Sequence, residues 1–383
     1  MVMIGAEMLL HAHRQCITGK QLGLVSNYNV TDSALRSIVE LLVEEREWHV
    51  AKLFGPEHGM LNCAKEGEQV PSAHDPHTGL PTYSLYGDTL QPTPEMLSDL
   101  DALVIDVPDI GSRYYTNMNT MAYCLQACAQ NGLECIVLDR PNPIGGVVRE
   151  GNIPDKKFHS FVGMIDIPNR HGLTMGEIAT LYNQTLPVPA PLTVIRCEGW
   201  QRSMWQVETG LPFVSPSPNT TNLDMVALYP GTCLFEGTNI SEGRGTTHPF
   251  EMLGAPFIHA FELADAINAK KLPGIVARPT FFVPTYKKYP GDLCEGIQLH
   301  ITDRRALRPL TVGLTLIDVI SKLYDQHFTF THQDEEGRYF FDLLAGTDRL
   351  RTLVNAGKTM DFLAECDESV QSFNKDIADI LLY

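Results

Sequence analysis

Short unbroken apolar runs alternate along the first half of the chain with longer stretches whose apolar residues recur at helical spacing. Gln21-Leu-Gly-Leu-Val-Ser-Asn27 is the first run and predicts a strand, after which Thr31-Asp32-Ser33 predicts the cap of an amphipathic helix over roughly 34–47. His49 to Phe54 predicts the next strand. Asp101-Ala-Leu-Val-Ile-Asp106-Val and Cys135-Ile-Val-Leu-Asp139 are nearly continuous apolar runs, as strands buried on both faces of a parallel sheet require. Between them Met118, Met121, Ala122, Leu125 and Cys128 fall on one helical face, predicting a core helix from about Asn117 to Gln130 that Gly132 stops. Thr93-Pro94 opens a short helix, Thr174-Met-Gly-Glu177 is a capping box for a helix to about Asn183, and Leu192 to Cys197 predicts another strand. From about 257 the pattern changes to a helix near 258–270, extended runs at 275–286 and 296–302, a helix near 310–325 and mixed helical segments to Tyr383, an α+β arrangement. At 383 residues the chain is long enough for two packed domains with a ligand cleft between them.

The ends of the predicted strands carry the candidate chemistry. Lys52-Leu53-Phe54-Gly55-Pro56-Glu57-His58-Gly59 leaves regular structure at Gly-Pro and delivers a carboxylate and an imidazole, and Glu68 follows in Lys65-Glu66-Gly67-Glu68. Two carboxylates past a strand end suit acid and base, or acid and nucleophile. Asn27, Glu57, Asp106 and Asp139 all lie at or just past a strand end, and in an open parallel sheet those ends line one edge, where ligands bind. Three irregular segments add loops. Residues 59–95 are rich in Pro, Gly and His, 211–222 hold several prolines before Asn219, and 234–247 form a polar glycine-rich loop with Glu236, Asn239, Glu242 and Arg244.

Composition narrows the classes. Hydrophobic content of 44%, charged content of 20% and a mean hydropathy of −0.09 describe a globular protein with a substantial core. A formal charge of −17 and an isoelectric point near 5.1 repel polyanions, and no Lys/Arg run offers an exception, which excludes nucleic acid as a partner. The nine cysteines form no C-x-x-C pair and several lie inside apolar runs, the pattern of buried free thiols. No stretch reaches about 18 apolar residues and no basic region precedes an apolar core at the N-terminus. The chain as written therefore reads as cytoplasmic without a membrane span, or as periplasmic or secreted if a leader has been removed.

Neither G-x-G-x-x-G, nor a phosphate loop, nor G-x-S-x-G occurs, so no nucleotide cofactor or serine nucleophile is implied. His74, Asp75 and His77 with Glu57 and His58 offer nitrogen and oxygen ligands for zinc, an alternative to a metal-free site.

The runs GPEHG (55–59), GE (67–68), TGLPTYSLYG (78–87), IDVPDIGSRYYT (105–116), LDRPNPIGG (138–146), RHGLTMGE (170–177), SPSPN (215–219) and FEGTNISEGRGTT (235–247) resemble those of the NamZ-type exo-β-N-acetylmuramidases. The resemblance implies a Rossmann-like N-terminal domain over 1–225, a smaller α+β domain over 226–383 closing the cleft, and no cofactor. It implies release of N-acetylmuramic acid from the non-reducing end of peptidoglycan-derived glycans, with Glu57 and Glu68 as the catalytic pair. The sugar's lactyl carboxylate calls for a guanidinium, for which Arg113, Arg140 and Arg244 are candidates. Asn142, Asn219 and Asn239 suit sugar hydroxyls or an acetamido group, and Tyr114 or Tyr115 suits stacking on a sugar face. His58, Asp106, Asp139, Glu236 and Glu242 complete the expected substrate pocket. A non-catalytic receptor for wall fragments and a metal-dependent hydrolase of the same substrates are the alternatives.

Overall fold

The computed structural model describes residues 1–331 and 333–383. Seven strands form the first sheet: β1 (Gln21–Val25), β2 (His49–Gly55), β3 (Ala73–His74), β4 (Pro81–Ser84), β5 (Ala102–Ile105), β6 (Glu134–Leu138) and β7 (Leu192–Ile195), in the order β3-β4-β2-β1-β5-β6-β7. All neighbours are parallel except β3 and β4. The order reverses between β1 and β5, which makes the sheet doubly wound.

The apolar runs are continuous because both faces are covered. Leu22, Leu24, Leu53, Val104 and Ile136 pack on one side with helices Gly5–Ala12 and Ile38–Glu44, whereas Val25, Phe54, Leu103, Ile105 and Val137 pack on the other with helices Asn117–Asn131 and Met175–Thr185. Gly132 ends its helix in the left-handed conformation, and Thr174 with Glu177 forms the expected capping box. One expectation fails locally. The second helix starts at Ile38, because Asp32 instead accepts from the backbone N–H groups of Ala34 and Arg36 and pairs with the Arg36 guanidinium, closing a turn.

The second sheet is antiparallel, with β8 (Met252–Ala255), β9 (Ile275–Phe282) and β10 (Cys294–Ile301) in the order β8-β10-β9. It packs on helices Ala260–Asn268 and Pro309–Leu323, and its core also takes in Ile110, Tyr114, Tyr115 and Ile144 from the loops beyond β5 and β6. The two sheets thus share apolar contacts on the side where the strand ends of the first one open. The end of the chain returns to the first sheet, where Phe373, Ile377 and Ile380 join its core and the Tyr383 hydroxyl donates to Asp139 Oδ2 at 2.7 Å.

All nine cysteines are unpaired, and seven are buried. Among the described residues no helix is long and apolar enough to cross a membrane.

Arg113 ties the two parts together. Fully buried, it donates to the carbonyls of Asn152 at 2.5 Å and Ile167 at 3.0 Å, and to those of Leu344 and Ala345 at 3.0 and 2.9 Å. Among the described residues no acid lies within ion-pair distance of it, so peptide dipoles carry most of its solvation, and burial lowers its pKa. Replacement by Met strands four carbonyls while relieving a buried charge. The net expectation for R113M is a loss of about 2–4 kcal/mol in denaturant unfolding.

Candidate active site

β2 ends at Gly55 and the chain breaks at Pro56, which carries Glu57 and His58 into a cavity of about 480 Å³. That volume is in the range of small-ligand pockets. The opposite wall comes from the other part of the chain, with Met225 and Tyr229, Glu236, Arg244 and Phe250, Lys287, and Phe340, Leu343 and Leu344 all contributing. Phe250, Phe340 and Leu343 give the cavity its apolar wall, with the Arg244 guanidinium over the Phe250 ring at 4.9 Å.

Glu57 is held by uncharged donors on both oxygens. Thr116 Oγ1 donates to Oε2 at 2.6 Å and the Gly67 backbone N–H donates to Oε1 at 3.1 Å. Among the described residues no cation lies within ion-pair distance of it. His58 adopts a positive φ of 71°, and its Nδ1 lies 2.8 Å from the Ala64 carbonyl oxygen. A carbonyl only accepts, so Nδ1 donates in this contact. Tyr86 lines the same wall. Burial, with the Glu57 charge beside it, pushes its phenol up to about 12, and burial likewise raises Tyr115.

The remaining polar groups form one ion-pair lattice around Arg244. Its guanidinium lies 3.0 Å from Glu236, 3.4 Å from Glu66 and 3.5 Å from Glu242. Burial pulls its pKa down, but the charges of Glu236, Glu242 and Glu66 more than reverse this and hold it well above the ordinary value. Burial raises the Glu242 carboxyl, and Lys288 and Arg244 together bring it below its usual range. Lys288 spends its three donors on Phe235 O, Ile240 O and Glu242 Oε2, at 2.8, 2.9 and 2.8 Å. Close approach makes the lattice possible: a Cβ on Gly245 would meet the Thr285 and Tyr286 backbone nitrogens at 2.8 Å, and its carbonyl accepts from Thr285. Glu66 further accepts from Asn219 Nδ2 at 3.2 Å and lies 3.5 Å from Lys287 Nζ.

Of the residues expected at the site, the cavity brings together Glu57, His58, Tyr114, Asn219, Glu236 and Arg244, and Glu242 stands behind Arg244. Glu68 is not among them. Its carboxylate turns back to accept from the Lys65 N–H at 3.0 Å, closing a turn in which Gly67 takes a φ of 74°. That turn sends Glu66 inward and leaves Glu68 exposed. The Tyr114 ring lines the wall, but its hydroxyl is engaged in donating to Pro230 O and accepting from Asn169.

Five other expected residues make their hydrogen bonds within the scaffold. Arg113 is the carbonyl tie described above. Asp106 and Arg140 form a two-pronged pair at 2.5 and 3.0 Å, with Arg140 also donating to Thr31 O. Arg140 also lines the crevice where the strand order reverses, a space of about 80 Å³. Asn142 spans Leu173 O and the Ile144 N–H, and Asn239 spans His327 O and the Thr329 N–H, so both amides fix loops.

Asp139 anchors a helix start, accepting from Gly176 N, Thr174 Oγ1 and Tyr383 Oη. Burial nevertheless raises its carboxyl to about 6, against the lowering effect of those donors. A folded-state value above the unfolded one means that the associated stability is present at low pH and fades as pH rises through about 6. The stability advantage of wild type over D139N is therefore expected to shrink by roughly 1–3 kcal/mol between about pH 4 and 7. Denaturant melts of both proteins at three pH values check this.

Asp75 accepts from Tyr28, the His77 and Thr78 N–H groups and the Thr78 hydroxyl, and among the described residues no group of three or more His, Cys, Asp or Glu is arranged to hold a metal ion. Residues that the sequence left unmarked complete the cavity: Glu66, Tyr86, Thr116, Phe161 and Lys287. Glu66 lies one residue from the expected Gly-Glu pair, and Tyr86 and Thr116 lie inside quoted runs. Lys287 carried no signal.

The family model for the N-terminal part of the exo-beta-N-acetylmuramidase NamZ matches residues 22–224, and that for its C-terminal part matches residues 227–383. The peptidoglycan beta-N-acetylmuramidase NamZ of Bacillus subtilis (strain 168) is 43% identical over 383 residues, which are 100% of this chain and 91% of that protein. Two DUF1343 family proteins of Bacteroides fragilis NCTC 9343 have crystal structures that superpose on this fold. One has a TM-score of 0.93 at 35% identity and the other 0.76 at 30%, each over 100% of this chain and 99% of the other. The chain belongs to the NamZ family of exo-β-N-acetylmuramidases.

Proposed function

We propose that this protein is a glycoside hydrolase that releases N-acetylmuramic acid from the non-reducing end of peptidoglycan-derived glycans, with Glu57 as its principal catalytic carboxylate. Full-length similarity to a peptidoglycan beta-N-acetylmuramidase supports the activity. The observation that carries the site is Glu57 itself: a carboxylate lining a mixed apolar and polar cavity of about 480 Å³, held by a hydroxyl and a backbone N–H and, among the described residues, by no cation. Hydrolysis breaks the C1–O bond, delivers a proton to the leaving oxygen and adds water oxygen to C1 with loss of a proton. A carboxylate outside any ion pair can carry a proton in transit without breaking one. Glu66 and Glu236 are tied to Arg244, which suits them to orienting sugar hydroxyls or the oxocarbenium-like centre. Arg244 and Lys287 are the cations available to the lactyl carboxylate among the residues lining the cavity.

The chain divides near residue 225 in this reading, and the cleft between its two parts is the substrate site. Incubation with a chromogenic β-N-acetylmuramide is expected to release the chromophore, with full activity retained after exhaustive chelation. Affinity for the sugar without turnover would make the protein a receptor instead.

A further inference from the structure

The main cavity does not end blindly on the Glu57 side. A trough of about 310 Å³, lined by Gly67, Gln69, Tyr86, Gly87, Leu90 and Phe161, continues from it, and Gly67, Tyr86 and Phe161 line both spaces. Gly67 is also the residue whose N–H holds Glu57 Oε1, so the carboxylate stands at the junction of the two. The side beyond it, the more enclosed of the two, is bounded by side chains from both parts of the chain, whereas the trough runs along loop residues, most of them past β2 and β4.

Resting on the proposed activity, we infer that the trough seats the leaving-group saccharide, the sugar on the reducing side of the scissile bond, while the main cavity holds the terminal muramic acid. An enzyme that removes one sugar at a time needs this asymmetry: one space closed around the terminal residue, one open to whatever length follows, and the reacting carboxylate where they meet. The trough has the chemistry for a pyranose. The Tyr86 and Phe161 rings lie 5.2 Å apart, and Tyr123 stacks behind Phe161 at 6.4 Å with an interplanar angle of 18°. Aromatic faces of this kind cover the apolar C–H face of a sugar, and Leu90 extends the apolar surface. Gln69 supplies both donor and acceptor for hydroxyls at the edge. No charged side chain lines the trough among the described residues, which fits a neutral hexosamine rather than a second anionic group.

Leu90 and Gln69 line only the trough, so filling it there tests the assignment without touching the main cavity. L90W, and independently Q69W at an exposed position, are compared with wild type on two substrates: an N-acetylmuramide with a small aryl leaving group, and a glycan in which N-acetylmuramic acid is linked to further sugars. The expected result is a fall in kcat/KM of about tenfold or more on the glycan, carried mainly by KM, with the aryl glycoside changed by less than about twofold. Equal losses on both substrates, or no loss on the glycan in a folded Q69W protein, would overturn the trough assignment. A wild-type protein that cleaves neither substrate would overturn the proposed activity itself, and the two failures are therefore distinguishable.

Discussion

Glu57→Gln is expected to lower kcat/KM on a β-N-acetylmuramide by about a thousandfold, the usual scale for loss of a positioned acid or base. The amide is nearly isosteric, and its carbonyl oxygen can still accept from Thr116 or from the Gly67 N–H. Folding should be unaffected, so an unchanged melting transition is the control. The companion variant Glu68→Gln is expected to keep near wild-type activity, because Glu68 is exposed and, among the described residues, its carboxylate accepts from the Lys65 N–H alone. Near-normal activity in E57Q would remove Glu57 from the centre of the mechanism, whereas large losses in both E57Q and E68Q would restore the pair that the sequence suggested.

The second large effect concerns the cation at the heart of the cavity. Arg244→Met leaves Glu236, Glu66 and Glu242 without their shared partner in a buried setting, and Lys287 and Lys288 reach only Glu66 and Glu242. Breaking a buried pair from one side costs about 3–5 kcal/mol, and R244M should show a loss of that order in denaturant unfolding together with a raised KM. Arg244→Lys is not a conservative repair, since a single ammonium cannot span three carboxylates as a planar fork does. A stable R244M protein with unaltered KM would show that the lattice serves neither the fold nor the substrate.

Much of the scaffold could be read before any coordinates. The doubly wound sheet follows from apolar runs such as Asp101 to Val107 and Cys135 to Asp139, because only a strand covered on both faces tolerates so little alternation. Helix punctuation was equally local: Thr174 with Glu177, Thr93 with Pro94, and Gly132 all act within a few residues of themselves. The exception, Asp32, is one where two local hydrogen-bonding solutions compete and a neighbouring arginine decides between them.

The site was less legible because pockets are made by side-chain direction, which a strand end does not fix. Asp106, Asp139 and Arg140 stand at the predicted edge, yet each spends its charge on the scaffold: two on one another and one on the Thr174 helix start and Tyr383. Arg113 looked like an anion clamp and is a buried tie between distant carbonyls, a role defined by residues near 152, 167 and 345 that no short window contains. That Glu66 rather than Glu68 lines the cavity goes with one left-handed glycine between them, Gly67, at a φ of 74°. Lys287 enters only because Gly245 lets a remote loop approach, a tertiary accident of packing that leaves no trace in the spacing of charges.

A crystal soaked with N-acetylmuramic acid tests the central claim most directly. The prediction is density for the sugar in the cavity between the two sheets, its C1 hydroxyl within hydrogen-bonding reach of Glu57 and its lactyl carboxylate against Arg244 or Lys287. Sugar bound instead in the crevice beside Arg140 and Asp106, with Glu57 untouched, would contradict it.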